Sequence, residues 1–514
     1  MQSSTRFIDP PTREEIATIG EQNFLDLRES EVTFIEELIH DYLPVYRRID
    51  RIPQPTPEYE YTDRDPGYRP DSQEDPLNAF VRKCHVPGSD DGLLEGYDIG
   101  LKDNIPVAGV ETTVGSPMMD GYVPQRDATV VSRLLDAGAT ITGKLTTTPF
   151  SVGDNFHDPG ANPRDSSRDA GASSTGSAIA VVTGDVDVAL GADQGGSIRQ
   201  PASWCGCVGL KPTWGLVPYT GIQSLDDTID HVGPMTTTVE DCARVLEAIA
   251  GYDSLDARHR RETPEQGSVS YLEAVGTDIN DLSIGVLTEG FEDEDGDDEV
   301  YDTVRAAIDQ LEDIGATVTE VSVPYHHDGA FLSTVIMNEG MASKVQSEGL
   351  TPLTAGYYDV GFAETFGKAR RVRGDDISLR IKAKIVFGEY LAETYQRRYY
   401  AKAQNLAREL TAAYDAVLED VDLLALPTWT STAPPLAETE TYEEALENTH
   451  STWTSGHMST TSQFNVSGHP ALTIPCGTVE NLPVGLQFVG HHFQEATLFR
   501  VADAFERNVD WESL

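Results

Sequence analysis

The sequence predicts an α/β protein. From about residue 93, segments typical of strands alternate with segments typical of helices, which favours an α/β core. The chain has 514 residues, of which 39% are hydrophobic, so it can bury a large core. No run of about 18 apolar residues occurs, and we therefore expect no transmembrane helix.

The first 75 residues differ from the rest. Residues 13–48 predict a helical segment, because apolar side chains recur there at helical spacing: Val32, Ile35, Leu38, Ile39 and Tyr42. Residues 53–76 are rich in proline and acidic residues without periodicity, which is typical of a surface linker. We therefore expect a helical extension and linker over residues 1–75 and a main domain over residues 76–514.

Two segments of the main domain show the same order of elements. "ATVVSRLLDAGATITGKL" predicts a helix that ends near Gly138 and is followed by a short strand. "DEVYDTVRAAIDQLEDIGATVTEVSVP" repeats this order with Gly315 at the turn, after a strand predicted at Ser283 to Leu287. The acidic run from Glu292 to Glu299, between this strand and the helix that follows it, is interpreted as a solvated loop.

The charge of the chain is unusual. Asp and Glu number 85 and Lys and Arg 37, which gives a formal charge of -48. Such a charge repels nucleic acid, so we expect no nucleic-acid partner. It also destabilises a compact chain unless salt screens it, which indicates adaptation to a salt-filled cytoplasm, as in extreme halophiles. The alternative is an ordinary acidic enzyme.

The N-terminus and the cysteines indicate a cytoplasmic protein. "MQSSTRFIDPPTREE" lacks the basic flank and apolar stretch of a secretory signal. The 5 cysteines have no Cys-x-x-Cys spacing, so neither a disulfide scaffold nor a thiolate zinc site is expected.

Two clusters rich in glycine and serine suggest the chemistry. Residues 173–177, "SSTGS", and residues 195–197, "GGS", each lie where a loop is predicted to enter a helix. Backbone N–H groups and the positive end of the helix dipole collect there, and they suit a bound anion or a developing oxyanion. Gly195 and Gly196 allow the backbone to approach a ligand closely. Acyl transfer needs such donors for its tetrahedral intermediate.

Other motifs fit the sequence less well. "GATITGK" at 138–144 has the glycine and lysine spacing of a phosphate-binding loop, but Leu145 follows where Ser or Thr would hold magnesium. No Gly-x-Ser-x-Gly and no His-Glu-x-x-His occurs. The pairs His326-His327 and His491-His492 lack an evident third ligand and are interpreted as surface residues. We therefore expect no metal and no cofactor.

The block "GASSTGSA…GADQGGSIRQPASWCGCVGLKPTWGLVP" resembles the signature of the amidase signature family. "LKDNIPVAG", "GKLTTTPF", "TIDHVGPMTTTVEDCARVLEAIAGYD" and "FNVSGHPALTIPCG" are similar to further segments of that family, over roughly residues 80–507. The resemblance implies the amidase-signature fold, with a central mixed β-sheet flanked by helices. It also implies a hydrolase of linear carbon–nitrogen amide bonds.

The resemblance also implies the site residues. Ser197 is the nucleophile, Ser173 the bridging serine and Lys102 the base, with a cis peptide bond between Ala172 and Ser173. Gln194, Gly195 and Gly196 are the substrate-binding residues. Ala172 and Thr175 stand where the family usually has glycine.

The residue types themselves support this chemistry, independently of the resemblance to the family. A lysine titrates near 10.4 and accepts a proton at neutral pH only if burial disfavours its cation. The apolar neighbours of Lys102 suit such burial, and Ser173 then relays a proton from Ser197 to Lys102. Arg199 and Asp193 are expected to support the loop by hydrogen bonding.

Three functions stay open at this point. The first is a stand-alone amidase that converts a small-molecule carboxamide to an acid and ammonia, with a homodimer as the candidate assembly. The second is the glutaminase subunit of a tRNA-dependent amidotransferase, which works beside partner chains. The third is a catalytically silent binding protein on the same fold. The N-terminal extension and the blocks at 185–201 and 217–235 look closer to stand-alone amidases.

Salt dependence follows from the composition. Because 85 acidic residues face 37 basic ones, we expect the melting temperature and the activity to fall steeply when salt is lowered from about 2 M to 50 mM, where screening is weak. Thermal unfolding and turnover in a KCl series measure this. An unchanged melting temperature and full activity at 50 mM salt would exclude salt adaptation.

Overall fold

The polypeptide divides into two units, Met1–Glu58 and Tyr59–Leu514. The structure is a computed structural model and describes residues 8–54, 59–154, 160–350, 354–436, 444 and 460–514. The sequence predicts the boundary after residue 75, whereas the two units divide after Glu58. Residues 65–68 of the predicted linker form a strand that pairs with residues 83–85 of the second unit.

The first unit contains two helices, α1 (Arg13–Gln22) and α2 (Glu29–Asp50), where the sequence predicts one helical segment. Phe24 adopts a left-handed φ of 59° just after α1, which a continuing helix does not allow. The Glu31 carboxylate accepts a hydrogen bond of 2.8 Å from the backbone N–H of Arg28 and so caps the start of α2.

The second unit is built on a 12-stranded mixed sheet. Its strands are β1 (Asp65–Tyr68), β2 (Phe80–Pro87), β3 (Asp98–Lys102), β4 (Thr140–Leu145), β5 (Val188–Asp193), β6 (Val208–Lys211), β7 (His231–Thr236), β8 (Ser283–Leu287), β9 (Thr317–Val321), β10 (Leu423–Pro427), β11 (Ala471–Val479) and β12 (Leu482–Gly490). Their spatial order is β1-β2-β4-β3-β5-β7-β6-β11-β12-β10-β8-β9. The pairs of β3 with β4 and β5, and of β8 with β9 and β10, are parallel, and the others are antiparallel.

Helices of the second unit connect and cover these strands. They are α3 (Thr129–Asp136), α4 (Thr175–Thr183), α5 (Arg199–Cys205), α6 (Val239–Ile249), α7 (Asp298–Ile314), α8 (His326–Gln346), α9 (Val360–Val372), α10 (Leu379–Tyr395), α11 (Arg398–Leu418), α12 (Ser462–Ser467) and α13 (Glu495–Asn508). None of the helices in the described part of the chain is long and apolar enough to cross a membrane.

The predicted alternation of strands and helices is confirmed. The units α3–β4 and β8–α7–β9 lie where the sequence predicts them. Gly315 ends α7 with a φ of 128°, a conformation that favours glycine. The large mixed sheet with flanking helices, which the resemblance implies, is therefore present.

The topology also places the site. Because β3 and β5 are parallel neighbours, with Leu101 opposite Leu190, their carboxyl ends meet at the same edge of the sheet. Lys102 is the last residue of β3, and Asp193 is the last residue of β5. The glycine-serine loop that follows Asp193 therefore begins beside Lys102.

Candidate active site

The loop that carries Ser197 is folded around the carboxylate of Asp193. The backbone N–H groups of Gly196 and Ile198 donate to its two oxygens, at 2.7 and 3.0 Å. The Arg199 guanidinium donates to both oxygens as well, at 3.0 Å each. Although burial alone would raise the pKa of Asp193, the charge of Arg199 holds this pKa well below its usual range. The loop is thus shaped by a permanently ionised carboxylate.

Arg199 ties this loop to the C-terminal part of the chain. Its guanidinium is fully buried. It also donates to the carbonyl oxygen of Thr461 at 2.9 Å, to Gln487 Oε1 at 2.7 Å and to Asn465 Oδ1 at 2.7 Å. Arg199 and Asp193 therefore position the loop by hydrogen bonding, as the sequence predicts.

Gly196 must be glycine for two reasons. Its φ is 128°, which side-chain-bearing residues rarely adopt, and a Cβ here would lie 2.5 Å from Thr461 Oγ1. The Thr461 hydroxyl donates to the carbonyl oxygen of Gly195 at 2.7 Å, so Thr461 packs against the loop. The N–H group of Gly196 donates to Asp193, and the prediction that Gly196 binds substrate stays a prediction.

Ser173 begins the other glycine-serine cluster, residues 173–177, and lies two residues before the start of α4. The peptide bond between Ala172 and Ser173 is cis, as the resemblance implies. Lys102 Nζ donates to Ser173 Oγ at 2.6 Å and to the carbonyl oxygen of Ala192 at 3.0 Å. The structure therefore brings Lys102 and Ser173 into direct contact.

Lys102 lies in the interior of the protein. Its side chain is fully buried, and burial lowers the pKa of Lys102 to about 7, although the charges of Asp193 and Asp230 act to raise it. The amine is therefore available in its neutral form near neutral pH, as a base requires.

The two serine clusters are joined by the backbone. The N–H group of Ser174 donates to the carbonyl oxygen of Ser197 at 3.1 Å. Ser197 is partly exposed, whereas Ser173 and Lys102 are buried. The structure thus joins Lys102 and Ser173 by a hydrogen bond, and links Ser197 to this cluster through its backbone carbonyl group.

A pocket begins beside Gln194. The Gln194 side-chain amide donates to the hydroxyl of Tyr219 at 3.1 Å, and Tyr219 and Gln223 line a pocket next to it. An adjoining pocket shares Gln223, and its walls are mainly apolar: Val114, Phe150, Met341, Val345, Phe362 and Phe366. Among the described residues, Ser197 lines neither pocket.

Two cationic side chains line the first pocket, and both are paired with carboxylates. Arg258 bonds to Asp256 at 2.7 Å, and Lys344 bonds to Asp227 at 2.9 Å. Their charges are therefore already offset within the protein.

The structure also tests the other motifs. The lysine of "GATITGK", Lys144, is buried and bonds to Asp103 at 2.9 Å, in a helix-turn-strand unit. The prediction that all four paired histidines lie on the surface is wrong for two of them. His326 is buried beside the Tyr414 hydroxyl, and the His492 side chain is only 16% exposed.

Sequence reasoning missed the partners of Arg199. Asn465 lies in "FNVSGHPALTIPCG" and Gln487 lies in β12, each more than 260 residues along the chain from Arg199. A buried arginine needs hydrogen-bond acceptors, so the burial of Arg199 would indicate that such partners exist. The sequence does not say where they are.

Comparison with known proteins places the chain. A sequence model of a family described as "Amidase" matches residues 78–499. The chain is 38% identical to a glutamyl-tRNA(Gln) amidotransferase subunit of Natronomonas pharaonis, over 83% of this chain and 99% of that protein. It is 40% identical to an enantioselective amidase of Rhodococcus rhodochrous, over 88% of each chain.

A solved structure shows the same fold. The corresponding glutamyl-tRNA(Gln) amidotransferase subunit of Thermotoga maritima is 30% identical, with a TM-score of 0.69 over 85% of this chain and 89% of that one. The relatives thus include both amidotransferase subunits and stand-alone amidases. The chain belongs to the amidase signature family, whose members are hydrolases acting on carbon–nitrogen amide bonds.

Proposed function

We propose that this protein is a stand-alone amidase that hydrolyses a small carboxamide to a carboxylic acid and ammonia, with Ser197 as nucleophile. The observation that carries the proposal is the 2.6 Å contact between Ser173 Oγ and the buried amine of Lys102. A buried lysine whose polar contacts are a hydroxyl and a carbonyl oxygen suits a base better than a structural ion pair.

The proton path follows from these contacts. Neutral Lys102 keeps one N–H on the carbonyl oxygen of Ala192 and accepts the hydroxyl proton of Ser173. Ser173 then takes the proton of Ser197 as the Ser197 oxygen attacks the carbonyl carbon. The lysine is protonated in this step, and the carbonyl oxygen becomes an oxyanion.

Backbone donors of the loop meet that oxyanion. Since Asp193 already accepts from Gly196, the N–H groups of Gln194, Gly195 and Ser197 are the candidate donors. When the intermediate collapses, the carbon–nitrogen bond breaks and Lys102 returns its proton to the leaving nitrogen through Ser173. Ammonia departs, and Ser197 holds the acyl group as an ester. Water then attacks the ester by the same relay and releases the acid.

One observation favours a stand-alone enzyme over an amidotransferase subunit. The apolar pocket described above suits an aryl or branched acyl group. The α-carboxylate of glutamine would need a cation, and Arg258 and Lys344 are already paired.

The nucleophile is tested by partitioning of the acyl group. With an amide substrate, added hydroxylamine should compete with water and give a hydroxamate, because both attack the same Ser197 ester. Mass spectrometry should find the acyl group on the peptide that contains Ser197.

Serine variants make this test specific. Ser197→Ala should abolish both products. Ser177→Ala, which removes a buried serine of α4, should keep both. Ser173→Ala should retain weak turnover, because the nucleophile and the oxyanion donors stay in place. An acyl group on Ser173 or Cys205, or undiminished hydrolysis by Ser197→Ala, would show that the nucleophile is misassigned. No adduct and no turnover would favour the silent binding protein.

The base is tested by the pH dependence of kcat/KM. Because the pKa of Lys102 is lowered to about 7 and the neutral amine is the active form, kcat/KM should rise with pH and level off above 7. At pH 5 it should be about 100-fold below the plateau, since each unit below the pKa costs about tenfold. Lys102→Ala should have almost no turnover at any pH while remaining folded.

Asp230 provides the matched control. Burial raises the pKa of Asp230 to about 7 as well, so its titration could also produce a rise in kcat/KM at the same pH. Because the Asp230 charge raises the pKa of Lys102, Asp230→Asn should move the rise in kcat/KM to lower pH without abolishing it. If the rise in kcat/KM with pH vanishes in Asp230→Asn, the titrating group is not Lys102.

The acyl group is tested with a substrate panel in molar salt. Benzamide and isobutyramide should have kcat/KM values at least about tenfold above that of glutamine, because their acyl groups match the apolar walls. No partner chain should be needed. Hydrolysis of glutamine alone, or turnover that requires added amidotransferase partner chains, would favour the amidotransferase function.

A further inference from the structure

Three potential metal ligands converge outside the proposed catalytic site. Asp415 belongs to α11, His469 precedes β11 and His492 follows β12. His469 Nε2 lies 3.1 Å from Asp415 Oδ1, and His492 Nδ1 lies 3.8 Å from the same oxygen. One ligand atom from each residue lies within 4.8 Å of the other two. Asp415 and His469 supply the further ligands that sequence analysis did not find for His492.

These distances fit a small divalent cation. Zinc binds imidazole nitrogen and carboxylate oxygen at about 2.0–2.2 Å, which places the ligand atoms of a tetrahedral site roughly 3.4 Å apart. The separations of 3.1 and 3.8 Å lie on either side of that value.

The hydrogen bonds of His492 turn a lone pair towards the cluster. Its Nε2 lies 3.1 Å from the carbonyl oxygen of Ser467, which can only accept, so Nε2 carries the hydrogen. The neutral ring then has its lone pair on Nδ1, which faces the carboxylate of Asp415. A cation between these two electron-rich groups, which face each other at 3.8 Å, would satisfy both of them.

The second histidine can adopt the same state. His469 Nδ1 lies 3.0 Å from Ser467 Oγ, and this hydroxyl can accept a hydrogen from the ring as readily as donate one. With the hydrogen on Nδ1, the lone pair of Nε2 also faces Asp415. Ser467 thus orients both rings from behind, as groups around a metal site do.

Nearby cations act against metal binding. Arg260, Lys211 and His491 are the basic groups that lie near the cluster. Lys211 directs its Nζ to the carbonyl oxygens of Pro212 and His469, and Arg260 lies over the ring of Trp214, 4.9 Å from its centroid. Both cations thus have partners of their own.

We propose that Asp415, His469 and His492 bind one divalent cation of the zinc, cobalt or nickel class, with a fourth position for water. Two nitrogens and one carboxylate favour these metals over magnesium or calcium, which prefer all-oxygen sites. The ion joins α11 to the ends of β11 and β12, beside the segment that carries Asn465. Its role is to stabilise the fold.

The proposal is tested by titrating the tag-free full chain, treated with chelator and held in molar KCl, with CoCl2 and then ZnCl2. One Co(II) ion per chain should bind and give the visible absorption of a tetrahedral site, and Zn(II) should displace it. Binding should raise the melting temperature, because the ion stabilises only the folded state. MgCl2 at the same concentration should do neither.

Substitutions assign the ligands. Asp415→Asn and His492→Gln should each weaken Co(II) binding by at least about tenfold. His327→Ala is the matched control, because His327 also faces a carboxylate, Glu292 at 3.1 Å, but joins no three-residue cluster among the described residues. It should bind Co(II) like the original chain. No stoichiometric binding, or binding that both Asp415→Asn and His492→Gln retain, would reduce the cluster to a hydrogen-bonded Asp–His pair.

One measurement does not depend on the variants folding. X-ray absorption of the zinc-loaded original chain should show imidazole scattering from two rings and nitrogen or oxygen ligands at about 2.0–2.1 Å. A zinc shell without imidazole scattering would overturn the proposal. None of these readouts uses amide hydrolysis, so the proposed function and the metal site stand or fall separately.

Discussion

The burial of one amine governs the chemistry of this protein. Lys102 ends a central strand and places its buried Nζ beside a hydroxyl and a carbonyl oxygen, and no carboxylate of the described residues hydrogen-bonds to it. In water this amine would be a permanent cation. In the interior the cation loses its hydration, and the pKa falls to about 7. The mixed sheet places the carbonyl oxygen of Ala192 beside that amine, and the segment before α4 places the hydroxyl of Ser173 there.

A second buried cation has the opposite function. Arg199 meets both oxygens of Asp193, stays charged and holds residues far apart in sequence on one loop. Removing one partner of such a buried pair typically costs about 3–5 kcal/mol, because the other charge is left uncompensated. The pair thus fixes the loop geometry, while the lysine next to it is free to gain and lose a proton. Two buried basic side chains with different partners thus divide positioning from proton transfer.

Much of this arrangement is readable from the sequence. The helix-strand order around Gly138 and Gly315 predicts the α/β core, and the glycine-serine clusters predict loops that enter helices. The resemblance places Lys102 and Ser173, which the structure brings to 2.6 Å. These features depend on neighbours in sequence or on a long motif.

Contacts between distant segments could not be predicted in this way. Asn465 and Thr461 reach the loop of Ser197 because the sheet order places β11 and β12 near β5 and β7, and nothing local to residues 460–465 encodes that order. The same reason hides the cluster at Asp415, since its three residues lie in three separate segments. The break between α1 and α2 was not predicted because the apolar spacing from Val32 to Tyr42 lies entirely within α2 and does not report on the residues before it.

The central claim is that Lys102 is neutral near neutral pH, and nuclear magnetic resonance tests it most directly. The chain has few lysines, so labelling with [ε-13C]lysine gives a spectrum with few signals, in which Lys102→Met identifies the signal of Lys102. The account predicts that this signal titrates with a midpoint near 7 in molar salt. A midpoint near 10.4, the value of an exposed lysine, would contradict it.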